Sequence, residues 1–456
     1  MSRPLSGLAP VTAQSARQPD NLLGRRERRA RRQLATAAAA FALALAAYVA
    51  DVATHPLKLT LDWFDLNIYN HAGLITRHAP STLYTWHFLP GVQYLYTPFA
   101  ALGFAAGSLL PWSVLKWLMT VVSLAAMAAT VWVTFGQLGW HGRRRWAATL
   151  GICAVALWTE PVLRSVQVGQ VELVLMALVA WDLCQPEHRR WKGAGIGLAA
   201  GIKLVPLIFI PYLILTGKLR QAAVATAAFA ATVLAGFIVL PAESVKWWLT
   251  GYFQHAGDFS NTSLGSLLNQ SVLAMLTRTP AGTGSVTALW VLLAAIIGVT
   301  GLAAAAELAR SGRLTAGWVT CALTGVLISP ISWDNHWVWL VPLLAVLADA
   351  GIRARGAVRW GYWGFGAALA AVFADWPTHI SGKLAFVPHG LVGFDVRRHP
   401  MSEIFHLHGV QLISWNLFVL GGLAMFGFMV AWAARNRRNR HADPARPAEP
   451  ARTAIT

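Results

Sequence analysis

The sequence predicts an all-α integral membrane protein with many membrane-spanning helices, and three observations lead to this fold class. Apolar residues make up 56% of the 456 residues and charged residues only 12%, about half the charged share of a soluble domain. Apolar segments recur at lengths that cross a bilayer, which takes about 20 residues. The excess of 37 Lys and Arg over 19 Asp and Glu is gathered in short clusters between those segments. This composition excludes a soluble globular enzyme, a disordered chain and a disulfide-stabilised secreted domain.

The basic clusters indicate the cytoplasmic side of a plasma membrane, because short loops rich in Lys and Arg stay there during insertion. The clusters lie at 24–32, 142–145, 188–192, 218–220, 310–313, 353–359 and 435–440. Both ends of the chain are basic, so we predict that both termini are cytoplasmic and that the number of crossings is even. The placement of the charge between apolar segments argues against nucleic-acid binding, which the net charge of +18 alone would suggest.

Ten apolar segments are predicted to span the membrane. They lie near 33–52, 113–136, 146–160, 170–184, 219–240, 286–310, 313–330, 335–350, 357–374 and 411–434. Residues 193–216 are apolar with basic flanks on both sides and contain Pro206, so we expect two short helices forming a hairpin. With the hairpin counted as two, the total is about twelve helices, some short or broken. Two prolines in 94–136 predict a partial helix before one full span.

This topology divides the chain into a basic cytoplasmic segment 1–32, a membrane domain 33–434 and a disordered basic tail 435–456. About the first twenty residues are also predicted to be disordered. Five segments face outward, at roughly 53–93, 159–169, 241–285, 329–336 and 375–410. Loops longer than about 12–15 residues are usually functional or disordered. The three long segments are rich in aromatic residues, so we expect amphipathic helices on the outer leaflet and chemistry that faces outward.

The strongest local signal is LDWFDLNIYN at 61–70, shortly after the first span. Its two carboxylates, Asp62 and Asp65, lie among aromatic residues against the membrane surface, where a charge is unfavourable unless it is used or paired. One interpretation is a catalytic or binding site. The other is an interfacial helix whose acids point to water, and the residues alone leave both open.

Two further segments place polar groups at the ends of apolar spans. In SPISWDNHWVWLVP, 329–342, a turn carries Asp334, Asn335 and His336 and could bind a phosphate, a sugar or a metal, or be a polar turn anchored by tryptophans. Gln170 and Glu172 begin another span, and Arg164 precedes them. One interpretation is a functional site; the other is that these side chains extend to the membrane interface, and the residues alone leave both open.

Lys203 lies far from either loop within an apolar segment, so we expect it to face a cavity and to pair with a phosphate or with a carboxylate. Asn269 and Gln270, in the NQSV sequence near the end of the third outer segment, are further polar candidates. The chain contains no phosphate-binding GxxxxGK[ST] loop, no zinc-type cysteine pairing and no HExxH. No clear ligand cluster in the sequence argues for a divalent metal, and the need for one stays open.

Six segments in order resemble glycosyltransferase family 87, the polyprenol-phosphate-mannose-dependent mannosyltransferases of actinobacterial membranes. Each motif is degenerate, and their order over residues 60–350 is more specific than any one of them. The family often has Tyr-Pro-Pro where this chain has Tyr96-Thr97-Pro98. The segments are FDLNIYNHAG, YLYTPFAALGFAAGSLLP, VGQVELVLMALVAWDL, GIGLAAGIKLVPLIFIPYLIL, LLNQSV and SPISWDNHWVWLVPLL.

The resemblance implies the GT-C architecture, a helical bundle with an outward cavity, and an inverting transfer of mannose from polyprenyl phosphomannose. The implied acceptor is a glycolipid of the phosphatidylinositol mannoside type, mannosylated through an α-1,2 linkage. Asp65 is the implied catalytic base, and Lys203, His336 and Arg164 are the candidates for the donor phosphate, with His336 also catalytic. Contacts to the sugar or the acceptor are predicted for Asp62, Asn67, Tyr69, Gln170, Glu172, Asn269, Gln270, Asp334 and Asn335.

Three alternatives stay open at this point. An arabinofuranosyl transferase or another lipid-linked sugar transferase has the same fold, and selectivity among sugars depends on a few hydrogen bonds. A lipid-linked sugar flippase or other transporter shares polar groups within the membrane, although we find no internal repeat of the kind common in transporters. A scaffold without activity has no use for the long outer segments. A sugar-nucleotide donor is disfavoured because such donors are made in the cytoplasm, away from the predicted site.

Overall fold

The structure of the protein, a computed structural model, describes residues 14–54, 62–89, 92–252, 266–279, 283–375, 377–380, 383–386, 407 and 409–442. The predictions for the first 13 residues, for most of the outer segment 375–410 and for the tail beyond 442 lie outside the described residues. So does the middle of the outer segment 241–285.

The described chain is almost entirely helical. In order, its elements are α1 Gln14–Thr54, α2 Phe64–His78, β1 His87–Leu89, β2 Val92–Gln93, α3 Pro98–Gly107, α4 Trp112–Gln137, α5 Gly142–Ala156, α6 Glu160–Val168, α7 Glu172–Leu183, α8 Ala194–Ile202, α9 Phe209–Leu215, α10 Leu219–Val239, α11 Pro241–Ser244, α12 Val272–Thr277, α13 Thr283–Arg310, α14 Leu314–Ile328, α15 Leu340–Arg353, α16 Gly356–Val372, β3 Pro377–Ile380, β4 Lys383–Phe386, α17 Val410–Ser414 and α18 Leu417–Ala442. Short 3₁₀ segments at Pro80–Thr82, Val205–Ile208 and Asp334–Trp339 precede or join them, and a π-helical turn covers Val245–Leu249.

Within the described residues, six helices are long and apolar enough to cross a membrane, or seven if the bent pair α6–α7 is one span. The predicted total of about twelve is not confirmed. Several predicted spans are shorter helices; α5 and α14 have 15 residues each and α7 has 12. A helix of 15 residues is about 22 Å long, which is less than the hydrocarbon thickness of a bilayer.

Both irregular segments of the predicted topology have the expected form. The short helix α3 precedes the long span α4. The segment 193–216 breaks at Lys203 between α8 and α9, and the Nζ of Lys218, just after the segment, donates to Glu187 Oε1, just before it, at 2.7 Å. The two ends of the segment therefore lie together, and the predicted hairpin is confirmed.

The segments predicted to face outward differ from the prediction of helices alone. Two antiparallel hairpins, β1–β2 and β3–β4, occur within them. Their connecting sequences, Pro90-Gly91 and Ser381-Gly382, are turn signals. Residues 159–169, predicted as an outer connector, contain the buried helix α6, which makes an angle of 117° with α7. The basic N-terminal segment is helical from Gln14 and continuous with the first span, so the backbone has no boundary near residue 32.

The described structure has two main hydrophobic cores and a third, small cluster around Trp415. The larger core joins α1, α4–α10, α12–α16 and α18. The smaller one packs α2 and α3 against Tyr84, Tyr94, Leu240 and Trp247. Because α2 belongs to the small core while α6 and α7 belong to the large one, side chains from both cores meet where α2 touches α6.

Close contact between α2 and α3 depends on Gly73. A Cβ atom added there would lie 2.2 Å from the backbone oxygen of Phe104. We expect Gly73→Ala to destabilise the protein by about 1–3 kcal/mol, because two helix backbones must separate. Gly103→Ala, in α3, is the matched control, since an added Cβ there meets nothing within 4 Å. Thermal denaturation in detergent measures both; equal melting temperatures for the two variants would contradict the close approach.

Candidate active site

The start of α2 brings two predicted acids to different surroundings. Trp63 has a φ of 46°, and its N–H donates to the oxygen of Gln167 at 2.9 Å, which ties the start of α2 to α6. Asp62 is exposed, and its Oδ1 accepts from the N–H of Phe64 at 3.0 Å, as a helix cap does. Asp65 is half-buried in the first turn and points toward Gln170. The structure therefore separates the two carboxylates.

Asp65 is the centre of a hydrogen-bond network. Its Oδ2 accepts from Gln170 Nε2 at 2.9 Å, and Gln170 Oε1 accepts from the hydroxyls of Tyr69 and Tyr96 at 2.7 and 3.0 Å. Burial raises the pKa of Asp65 to about 6, against the opposing effects of the Gln170 hydrogen bond and the charges of Arg164 and Lys203. The carboxylate is thus ionised at neutral pH and still basic enough to accept a proton.

Three ionisable side chains, Glu172, Lys203 and His336, meet next to this network. Lys203 lies at the bend of the α8–α9 hairpin and forms an ion pair with Glu172. Its Nζ is also 2.8 Å from His336 Nε2, which is 3.1 Å from Glu172 Oε1. Lys203 is therefore paired with a buried carboxylate, one of the two alternatives predicted for it. Glu172, predicted to contact the sugar or the acceptor, pairs with Lys203 and lies within bonding distance of His336.

Arg164, on α6, lies close to the turn formed by Asp334, Asn335 and His336, which we call the DNH turn. Arg164 Nε lies 3.7 Å from Asp334 Oδ2, and its Nη1 donates to Gln167 Oε1 at 3.1 Å. Asp334 also accepts from the N–H of Asn335 through Oδ1 at 2.8 Å. Asp334 and Asn335 are both buried, so they shape the turn that presents His336.

Asn269 and Gln270, predicted to contact the sugar or the acceptor, both bond to backbone groups. Asn269 is fully buried, and its Oδ1 accepts from the N–H of Ser332 at 3.1 Å. Gln270 Nε2 donates to the carbonyls of Leu267 and Trp415, and its Oε1 accepts from the N–H of Phe418. Both side chains satisfy buried backbone groups and so fix the loop that leads into the DNH turn.

Sequence reasoning missed two residues that support this arrangement. Arg278 is fully buried and donates to the carbonyls of Ser266, Asn269 and Trp415, so it holds the same loop from below. Tyr96 bonds to Gln170, and its ring lies 5.6 Å from Lys203 Nζ. The only sequence signal for Tyr96 is its place in the Tyr-Thr-Pro run, where the chain departs from the family pattern.

A cavity lies beside the charged group. Its polar end consists of Glu172, Lys203 and His336, and most of its remaining wall is apolar, including Met176 and Phe209. Asn67 is half-buried on α2, and its carbonyl oxygen lies 3.0 Å from His71 Nδ1. Among the described residues, no group of three or more His, Cys, Asp and Glu is placed to hold a metal ion.

Comparisons with known proteins point to the same family as the sequence motifs. The sequence pattern of glycosyltransferase family 87 matches residues 94–330. A polyprenol-phosphate-mannose-dependent alpha-(1-2)-phosphatidylinositol mannoside mannosyltransferase of Mycobacterium tuberculosis is 31% identical over 298 residues, which cover 62% of this chain and 67% of that protein. A polyprenol-phosphate-mannose-dependent alpha-(1-2)-phosphatidylinositol pentamannoside mannosyltransferase of Mycolicibacterium smegmatis is 32% identical over 317 residues, covering 67% of this chain and 74% of that protein.

A second pentamannoside mannosyltransferase, from Mycobacterium tuberculosis, is 30% identical over 314 residues, covering 67% of this chain and 70% of that protein. No solved structure matches the chain. The family match begins at Tyr94 and so leaves out α2 and Asp65. These findings confirm the predicted resemblance and the prediction of a glycosyltransferase.

Proposed function

Because the chain belongs to glycosyltransferase family 87, we propose that it transfers mannose from polyprenyl phosphomannose to a phosphatidylinositol mannoside, forming an α-(1→2) linkage at the outer face of the membrane. The observation that carries this proposal is one site with two unlike arms. A half-buried carboxylate, Asp65, lies on one arm, and the charged group around Lys203 lies on the other. The names of the relatives supply the donor and the class of acceptor.

The carboxylate arm activates the acceptor. Gln170 occupies Asp65 Oδ2, so Oδ1 takes the proton from the acceptor hydroxyl as that oxygen attacks C1 of mannose. The new O–C1 bond forms on the face opposite the phosphate, the bond from C1 to the phosphate oxygen breaks, and its electron pair leaves with the polyprenyl phosphate. A β-linked donor therefore gives an α-linked product in one displacement.

The charged arm receives the leaving phosphate. The positive charge comes from Lys203, with Arg164 as the second cation, and such preorganised charge supplies a large share of catalysis in transferases of this kind. His336 Nε2 lies 2.8 Å from Lys203 Nζ and 3.1 Å from Glu172 Oε1, so His336 positions the ammonium and stays a candidate for the donor phosphate.

The surroundings of Lys203 suit a lipid donor that reaches the site from the outer leaflet. The apolar wall of the cavity beside Lys203 offers a surface for the first isoprene units next to the phosphate. Lys203 is at the bend of a hairpin whose ends lie beside the basic residues 188–192 and 218–220. Basic loops mark the cytoplasmic side, and the bend lies away from them, which supports an outward-facing site and cytoplasmic termini.

The activity is expected to have an acid limb with a midpoint near pH 6. Burial raises the pKa of Asp65 to about 6, and the base works only when ionised. The value of kcat/KM therefore approaches its maximum above this pH and falls about tenfold per pH unit below it. A profile of kcat/KM between pH 4.5 and 8 measures this limb; full activity at pH 4.5 would contradict Asp65 as the base.

The test of the proposed function is a transfer assay with purified protein in detergent. We expect that protein given polyprenyl phosphomannose and a phosphatidylinositol tetramannoside yields a glycolipid one hexose heavier by mass spectrometry. Removal of the added hexose by an α-1,2-specific mannosidase tests the linkage. A polyprenyl phosphoarabinofuranose donor tests the alternative sugar. Absence of product, where a mycobacterial relative is active in the same assay, would reject this substrate assignment.

A further inference from the structure

The Tyr96-Thr97 pair lies between the two arms of the site and has no role in the mechanism so far. Tyr96 reaches the carboxylate arm through its hydroxyl, which donates to Gln170 Oε1 at 3.0 Å. Its ring reaches the charged arm, with the centroid 5.6 Å from Lys203 Nζ, within the range of a cation–π interaction. The Thr97 hydroxyl donates to the carbonyl of Gly201, two residues before Lys203, and caps α3 by accepting from Ala100.

The contacts of Gln170 determine which end of its amide faces Asp65. The backbone N–H of Val171 lies 3.3 Å from Gln170 Oε1 and can only donate. The hydroxyls of Tyr69 and Tyr96 are 2.7 Å apart and both lie within bonding distance of that oxygen. Burial raises the pKa of both tyrosines well above the usual range, so they stay neutral donors. The amide nitrogen must then face Asp65, where it stabilises the ionised carboxylate.

Three charged side chains near Asp65 also affect the ionisation of its carboxylate. Arg164 on α6 and Lys203 on the hairpin favour the ionised carboxylate, whereas Glu172 on α7 opposes it. None of these three depends on the Tyr96 hydroxyl for its hydrogen bonds or ion pairs. Loss of that hydroxyl therefore acts on Asp65 through Gln170 and the neighbouring Tyr69 hydroxyl, which makes its effect separable from that of the three charges.

We infer that Tyr96 is a positioning residue that aligns the carboxylate arm with the charged arm. Thr97 fixes the bend of the hairpin that carries Lys203. This inference rests on the proposed function, because it assigns Tyr96 to the two groups that act there on the acceptor and on the leaving phosphate. The hydroxyl of Tyr96 holds Gln170 so that Asp65 is ionised and aimed at the acceptor. Its ring holds the ammonium of Lys203 against the cavity.

The test compares Tyr96→Phe with Tyr94→Phe in the full-length protein. Tyr94 is buried in the same aromatic cluster, but its hydroxyl donates to the carbonyl of Thr97 at 3.1 Å and does not reach Gln170. We expect Tyr96→Phe to move the acid limb of kcat/KM up by about 0.5–1 pH unit, because Asp65 loses part of a charge-assisted hydrogen bond. Tyr94→Phe is expected to leave the limb in place, although both variants lose one buried hydroxyl.

A second variant tests the ring. Tyr96→Leu removes both the hydroxyl and the ring face, so we expect the limb shift of Tyr96→Phe together with about a fivefold or larger rise in KM for the lipid donor. The inference is overturned if Tyr96→Phe has the acid limb of the wild type, or if both tyrosine variants shift it equally. If the wild-type protein transfers no mannose, the proposed function fails instead, so the two failures are distinct.

Discussion

Asp65→Asn is expected to reduce kcat by about 10³-fold while leaving the Kd for the lipid donor within a few-fold of wild type. The amide matches the carboxylate in size and still bonds to Gln170 after rotation, so the loss is confined to proton transfer. Mass-spectrometric rates on the purified variant measure kcat, and a fluorescent prenyl phosphate analogue measures binding. A scaffold or a transporter gives no reason for this separation of turnover from binding.

Asp62→Asn is the matched control for this change. Asp62 is three residues earlier on the chain and exposed, and its Oδ1 accepts from the N–H of Phe64 at the start of α2. Asparagine caps helices as well as aspartate does, so the variant keeps that contact. We expect less than about a threefold change in kcat. A large loss for Asp62→Asn with little loss for Asp65→Asn would reverse the assignment of the base.

The elements of the site were predictable from the sequence because charges in apolar segments are unfavourable unless they are used or paired. That argument finds Asp65, Glu172 and Lys203 one at a time. It cannot find their partners, since Glu172 and Lys203 are 31 positions apart and meet only through the bend of the hairpin. The same limit applies to Tyr96, which precedes α3 and lies 74 positions from its partner Gln170.

Buried amides were the hardest residues to interpret from sequence. Asn269 is of a residue type that often binds sugars, and its side-chain oxygen accepts from the backbone N–H of Ser332. Buried backbone groups need partners, and an amide serves them as well as it serves a sugar hydroxyl. The number of spans is hard to predict for a related reason: α14 is mostly apolar and is covered by other helices, and hydropathy alone does not separate such a helix from a span.

Lys203→Met is expected to have the second largest effect, for two reasons that must be separated. Loss of the ammonium removes charge from the leaving phosphate, which we expect to lower kcat by about 10²–10³-fold. The same change leaves Glu172 buried without its cation, and breaking a buried pair by removing one partner costs about 3–5 kcal/mol of stability. A single variant with low activity therefore cannot tell catalysis from unfolding.

The double variant Lys203→Met with Glu172→Gln separates these two effects. Neutral residues at both positions remove the unpaired charge, so we expect the thermal stability in detergent to return close to that of wild type. Turnover is not expected to return, because the phosphate still lacks its cation. Lys203→Arg keeps the charge with a longer side chain and should retain more turnover than either methionine variant. If the double variant regains both stability and turnover, Lys203 serves only to neutralise Glu172, and the cation for the leaving phosphate must come from Arg164.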